Sequence, residues 1–196
     1  MAISWIRKAL WNKDSFNPYP FIMIDNQGKL EKEPDGYKVT FDRVYNHPVQ
    51  AVWDAITNPT KLELWFMKVK MDFVAGGAMT IYFGDADNTE SHAEIVSIEK
   101  EKRFEYIWKN EDGPDEHALW ELFPVGENKC RLILTYSRIS ESYAINVSAG
   151  WHMMMNHLEE VLNGRTEPFP AEDGKSEESI KMVKIYKQVW DKEFAN

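Results

Sequence analysis

The stretch EHALWELFPVGENKCRLILTYSRISESYAINVSAGWHMMMNHLEEVLNG, residues 116–164, decides the fold. It begins with two runs of period-two alternation, Glu116 to Pro124 and Lys129 to Ser137, with the turn formers Gly126-Glu127-Asn128 between them. That pattern predicts an antiparallel hairpin. Ala118, Trp120 and Leu122 share one face of the first strand, and Leu132, Leu134 and Tyr136 one face of the second. The period then changes. From about Tyr143 to Asn163 the apolar positions Tyr143, Val147, Trp151, Met154, Leu158, Val161 and Leu162 converge on one stripe at about 100° per residue, while Asn156, Glu159 and Glu160 lie away from it. Gly164 is placed to end this helix in a left-handed cap. A sheet face and a helix stripe this apolar must bury each other.

Upstream, the residues from Phe66 onward keep the β character. Strands are predicted at Met67 to Val74, Ala78 to Phe83, His92 to Glu99 and Arg103 to Lys109, separated by Gly76-Gly77, the polar stretch from Gly84 to Glu90, Lys100 to Lys102, and Asp112-Gly113-Pro114. Successive strands with turn chemistry between them describe an antiparallel meander rather than βαβ units. Before it, Val49, Val52, Trp53 and Ile56 have helical spacing over Val49 to Thr57. Asn58-Pro59 stops that helix, and Thr60 can cap a second short one ending near Trp65. A strand over Tyr37 to Tyr45 uses Tyr37, Val39, Phe41 and Val44, and Lys29 to Gly36 reads as a polar connector. Residues 2 to 13 read as a short amphipathic helix and Phe21 to Asp25 as a strand. Thr166 to Ser179 reads as a linker, with two prolines, a glycine and many charges. Ile180 to Phe194 returns to helix with Met182, Val183, Ile185, Tyr186, Val189 and Trp190 on one half of its circumference.

Composition narrows the function classes. A chain of 196 residues suits one folding unit with appendages. Lys plus Arg number 23 against 32 Asp plus Glu, so no basic stripe is available for nucleic acid. Nowhere is there a run of about 20 apolar residues, so no membrane span is expected. The lone Cys130 excludes an internal disulfide or a cysteine-based zinc site, and with nothing like a signal peptide at the start the expected location is the cytoplasm. His152 and His157 are about 140° apart on a helix and cannot share a ligand sphere, and His92 and His117 complete no set, so no metal and no cofactor is expected. No nucleophile elbow is present, and Ser91 and His92 point to opposite faces of a strand. The Gly76-Gly77 pair precedes a strand, so it is a hairpin turn rather than a phosphate cradle.

The order of elements resembles the helix-grip fold of the SRPBCC, START or Bet v 1-like superfamily, and within it the group related to the C-terminal domain of the Hsp90 ATPase activator. The resemblance is carried by Val49-Gln50-Ala51-Val52-Trp53-Asp54-Ala55-Ile56-Thr57-Asn58-Pro59, Leu64-Trp65-Phe66, Gly76-Gly77, Tyr106-Ile107-Trp108, Leu119-Trp120-Glu121-Leu122-Phe123-Pro124-Val125-Gly126, Cys130-Arg131-Leu132-Ile133-Leu134-Thr135-Tyr136 and Gly150-Trp151. It implies an α+β fold, a curved antiparallel sheet of about seven strands around a long C-terminal helix, with extra helices at both ends. The domain then runs over residues 37–164, with residues 1–36 an N-terminal extension and 165–196 a linker and helix.

The resemblance further implies a pocket for a small hydrophobic, aromatic or lipid-like molecule, and a stress-response setting. The residues expected to bind it are Trp53, Trp65 and Phe66 from the short helices, then Phe104, Tyr106, Trp108, Trp120, Leu122, Leu134 and Tyr136 from the strands. Trp151, Met154, Met155 and Leu158 complete the set from the long helix. The leading expectation is a non-enzymatic binding protein. The alternatives are a protein-interaction or co-chaperone-like module and a polyketide cyclase/dehydratase-like enzyme, for which Asp54 and Glu121 are the matching acidic positions although both should face solvent. Two departures stand out. Tyr136 occupies the place where the family usually has His, and the outward strand positions include Leu119, Phe123, Ile133 and Ile107. A patch of that kind needs cover, so the two terminal extensions are expected to pack there, or the face to form a homodimer.

Overall fold

The computed structural model describes residues 26–84, 89–111, 113–169 and 176–194. The helix expected at residues 2 to 13 and the strand at Phe21 to Asp25 lie outside them. Eight strands form one antiparallel sheet: β1 (Lys29–Glu33), β2 (Gly36–Tyr45), β3 (Lys68–Met71), β4 (Ala78–Tyr82), β5 (Glu90–Glu99), β6 (Arg103–Lys109), β7 (Glu116–Gly126) and β8 (Lys129–Ile139). Their spatial order is β1-β2-β8-β7-β6-β5-β4-β3. The supposed connector is thus an edge strand. Lys29 to Glu33 carries one apolar residue only, Leu30, and its pairing with Gly36–Thr40 of β2 holds the charged remainder at the edge.

The hairpin of β7 and β8 has the register that alternation demands, with Trp120 opposite Leu134 and Leu122 opposite Leu132. Irregularities at Tyr37/Val39, Ile95/Ser97 and Pro124/Gly126 interrupt the ladders, and such bulges bend a strand and increase its twist, curving the sheet.

Two short helices, α1 (Val49–Thr57) and α2 (Pro59–Trp65), close one end. Asn58, not Thr60, caps α2: its side chain accepts the Thr60 N–H at 3.1 Å, with Pro59 in the first turn. The Trp65 indole N–H donates to Ala55 O at 2.9 Å and locks the helices together. The long helix α3 (Ala144–Leu162) follows a turn of 3-10 helix at Glu141–Tyr143, and Gly164 takes φ +103°, where a side chain would be strained.

The last helix, α4 (Glu177–Glu193), is capped by the Ser176 side chain, which accepts the Ser179 N–H at 3.1 Å. It packs on α3. The expectation that residues 165–196 cover the outer sheet face is therefore corrected: the apolar half of α4 found a second, helical face to bury. Met182, Ile185, Tyr186 and Val189 are buried, while Trp190 and Phe194 lie against Tyr37. On the outer face Leu119, Ile107 and Ile133 are half-buried and Phe123 and Val44 exposed. Val44 thus alternates out of the β2 core set, and Arg43 takes the inward place, 2% exposed.

Between sheet and α4, the long helix is enclosed on more than the single stripe expected. His152 and His157, which lie off that stripe, are both buried. Their surroundings are polar by construction. Tyr186 Oη accepts the Gly28 N–H at 2.8 Å, and its own proton is then free for His152 Nδ1 at 3.1 Å. Gly28 is needed for this approach, because a Cβ there would lie 2.6 Å from the Phe41 ring. Arg43 donates to Asn156 Oδ1 at 2.9 Å and to Asn26 O at 3.3 Å.

Candidate functional site

The inward faces behave as alternation requires. Phe104, Tyr106, Trp108, Ala118, Trp120, Leu122, Leu132, Leu134 and Tyr136 are all buried on the inner face. They leave almost no space there. Phe66 stacks on Trp151 with centroids 5.6 Å apart and planes 10° from parallel, Trp120 meets Trp151 edge-on at 5.7 Å, and Tyr136 lies 5.1 Å from it. The gap that Trp65, Phe66, Phe104, Tyr106, Trp120 and Trp151 surround is about 10 Å³, too small for any organic molecule.

A usable cavity sits to one side, a cleft of about 370 Å³ between α2, β3, β4, α3 and the chain at Pro168-Phe169. That volume falls within the range of ligand pockets, about 300 to 1,000 Å³. Its walls are Leu64, Trp65, Phe66, Met67, Phe83, Met153, Met154 and Phe169, with Glu63, Lys68, Tyr82, Thr89 and His157 as polar groups. Of the residues expected to bind ligand, Trp65, Phe66 and Met154 border this cleft. Phe104, Tyr106, Trp120 and Trp151 border the small gap only, and Trp53, Trp108, Leu122, Leu134, Tyr136, Met155 and Leu158 border neither. The physical reason is side-chain volume: with Trp, Tyr and Phe on both sheet and helix, the rings interlock at native packing density and leave almost no free space between them.

Part of the cleft was legible. Gly150, Met153, Met154 and His157 follow i, i+3, i+4, i+7 spacing, a second stripe beside the one that meets the sheet. Phe169 was not, because it lies in a Pro-containing polar segment with no periodicity.

Two buried polar arrangements bear on chemistry. On the inner face, Tyr136 donates to Glu116 Oε2 at 2.7 Å with both residues almost wholly buried, and the Trp108 indole donates to Ser91 Oγ at 2.6 Å. Glu116 was missed because it opens its strand, where alternation is weakest; counting back from Ala118 and Trp120 places it inward. On the outer face, burial works to raise the Glu105 carboxyl, but hydrogen bonds from Ser97, Arg103 and His117 outweigh it and hold the group below its ordinary value. Arg103 at 2.6 Å, with Ser97 and His117 each at 2.7 Å, make it a fixed anion that pins three strands. Asp54 is exposed and bonded to the Asn58 side chain, and Glu121 points outward. Among the described residues no group of three His, Cys, Asp or Glu side chains could hold a metal ion. None of the described helices is long and apolar enough to cross a membrane.

Comparison with known proteins gives the same architecture. CalU16 from Micromonospora echinospora superposes with a TM-score of 0.68 at 23% identity, covering 86% of this chain and 98% of that one. A conserved protein of unknown function from Enterococcus faecalis, EF2215, gives 0.65 at 15% identity over 84% and 91%. DynU16, from the dynemicin biosynthetic locus, gives 0.58 at 23% identity over 65% and 47%. At such identities the likeness is one of fold, the helix-grip. No curated protein is matched by sequence. The family model described as Activator of Hsp90 ATPase homolog 1-like protein matches residues 46–163, and the chain belongs to that family.

Proposed function

We propose that this protein binds a small hydrophobic, flat molecule without transforming it, and holds it in the cleft between α2, β4 and α3. The observation that supports this is the cleft itself: about 370 Å³, walled by rings and thioethers, with Glu63, Lys68, Tyr82, Thr89 and His157 as its polar groups. Such a lining suits an apolar guest whose position a small number of hydrogen bonds would fix. A thermal-shift screen against aromatic and lipid-like compounds is the direct test, since a ligand of the native state alone raises Tm. At a concentration 100 times Kd the gain is about 2.7 kcal/mol. Met154→Trp, which narrows the cleft, should reduce the shift sharply, and Phe123→Ser on the outer face should leave it unchanged. Hits that Met154→Trp leaves undiminished would place the ligand elsewhere.

A second reading, a cyclase-like enzyme, draws support from the buried Glu116 and Tyr136 pair, which puts a carboxyl and a phenol within 2.7 Å on the inner face. Neither residue borders the cleft. Glu116→Gln keeps the shape while removing the proton acceptor; any turnover of an aromatic polyketide that it cuts more than about 100-fold would favour this reading, and unchanged turnover would dismiss it.

A further inference from the structure

The segment leaving the long helix lays one of the chain's own rings at the cleft. Phe169 lies flat on His157, with centroids 3.5 Å apart and planes 6° from parallel. The Arg165 guanidinium carbon is 3.8 Å from the same centroid. Two groups that close to one centroid cannot share a face, so the ring is sandwiched between imidazole and guanidinium. The Phe169 N–H donates to Leu64 O at 3.2 Å. Arg165 is oriented by Glu167 O at 2.9 Å and the Glu160 carboxylate at 3.4 Å. His157 is 7% exposed, and both it and Phe169 border the cleft beside Met153 and Met154.

This arrangement is the geometry of a bound aromatic. A spacing of 3.5 Å admits a planar ring and no thicker body, and a guanidinium over the opposite face favours an electron-rich one. We infer that Phe169 is an internal competitor, which occupies the stacking place on His157, and that the cleft's ligands are planar, electron-rich aromatics that exchange with it. The inference rests on the binding function proposed above and specifies the ligand class of that same cleft. Self-occupancy lowers the apparent affinity by the fraction of molecules in which the place is free.

The test is calorimetric titration with 2-naphthol and with its saturated counterpart decahydro-2-naphthol, using the unaltered protein and the variants Phe169→Ala and Phe169→Leu. Leu keeps apolar volume at the site, so a folding defect in the Ala variant would not spoil the comparison. Both variants should bind 2-naphthol about tenfold more tightly than the unaltered protein, the scale of one lost stacking and cation–π competitor. The saturated compound should gain little. Combining Phe169→Ala with His157→Ala should erase the improvement. Variants that bind 2-naphthol no better than the unaltered protein would overturn the inference and leave the binding function standing. An equal gain for the saturated compound would overturn the aromatic class. If no form of the protein binds either compound, the binding function falls, and the inference with it.

Discussion

Trp151→Ala is expected to cost about 3 to 5 kcal/mol of stability, in line with other truncations of large buried aromatics. The indole is 3% exposed and is the ring on which the interior converges: Phe66 stacks on it, Trp120 meets it edge-on and Tyr136 tilts against it. Each of these ring pairs contributes about 0.5 to 1.5 kcal/mol beyond the area it buries. The helix supplying Trp151 is held between the sheet and α4 and cannot collapse into the hole. In a chain of this size the loss corresponds to a fall in Tm of roughly 10 °C. Denaturant titration at constant slope, together with the melting temperature, measures it. A loss below about 1 kcal/mol would mean that the rings are not interlocked, and that the space between sheet and helix is loose enough to hold a ligand after all. Since Trp151 does not border the cleft, ligand binding by the folded fraction should persist.

Lowering the pH from 7 to 4.5 is expected to destabilise the protein through His152. Burial, and after it the Arg43 guanidinium, hold this imidazole down at about 4, against an ordinary value of 6.5, while the Glu178 carboxylate pulls weakly the other way. The hydrogen bonding agrees with a neutral ring. The Gly28 N–H can only donate, so Tyr186 Oη accepts it and has its own proton free to give to a bare Nδ1. Phe41 packs edge-on against the ring and adds apolar surface around it.

Because the folded pKa is depressed, the unfolded chain binds the proton more readily. The stabilising contribution is complete above about pH 6.5 and disappears as the pH falls toward 4. Its full size is about 3 kcal/mol. Protonation would put a second cation beside Arg43 and remove the acceptor that ties α4 to α3. His152→Asn, which retains an acceptor near Nδ1 but does not titrate, should flatten the stability profile between pH 6.5 and 4.5. Equal slopes in the two proteins would show that other groups carry the acid sensitivity.

How much of this was written in the chain can be judged from particular residues. The hairpin of β7 and β8, the helix over Val49 to Thr57 and the long helix ending at Gly164 follow from period, turn residues and caps, all properties of a few neighbouring positions. So does the inward set from Phe104 to Tyr136, since alternation fixes a strand's faces once one buried residue is known. Where the chain departs from its period, local rules failed. Lys29–Glu33 pairs as an edge strand although four of its five residues are charged, because the partner β2 supplies the hydrogen bonds and water takes the charges. Arg43 faces inward because α3 and the chain at Asn26 offer it acceptors that no window around residue 43 contains.

The candidate site divides the same way. Sequence determined that a curved aromatic sheet would meet a helix stripe rich in Trp and Met, and hence which residues would be buried. Whether those rings would enclose a cavity or fill it depends on volumes summed over five strands and three helices, a property of the packed interior alone. Tertiary structure put the rings in contact, moved the open space to the mouth beside α2 and β4, and laid Phe169 on His157 from a segment with no pattern of its own. It also set α4 on α3 rather than on the outer sheet face, because an apolar helix half is satisfied by any complementary surface within reach of its tether, and only the folded geometry says which one that is.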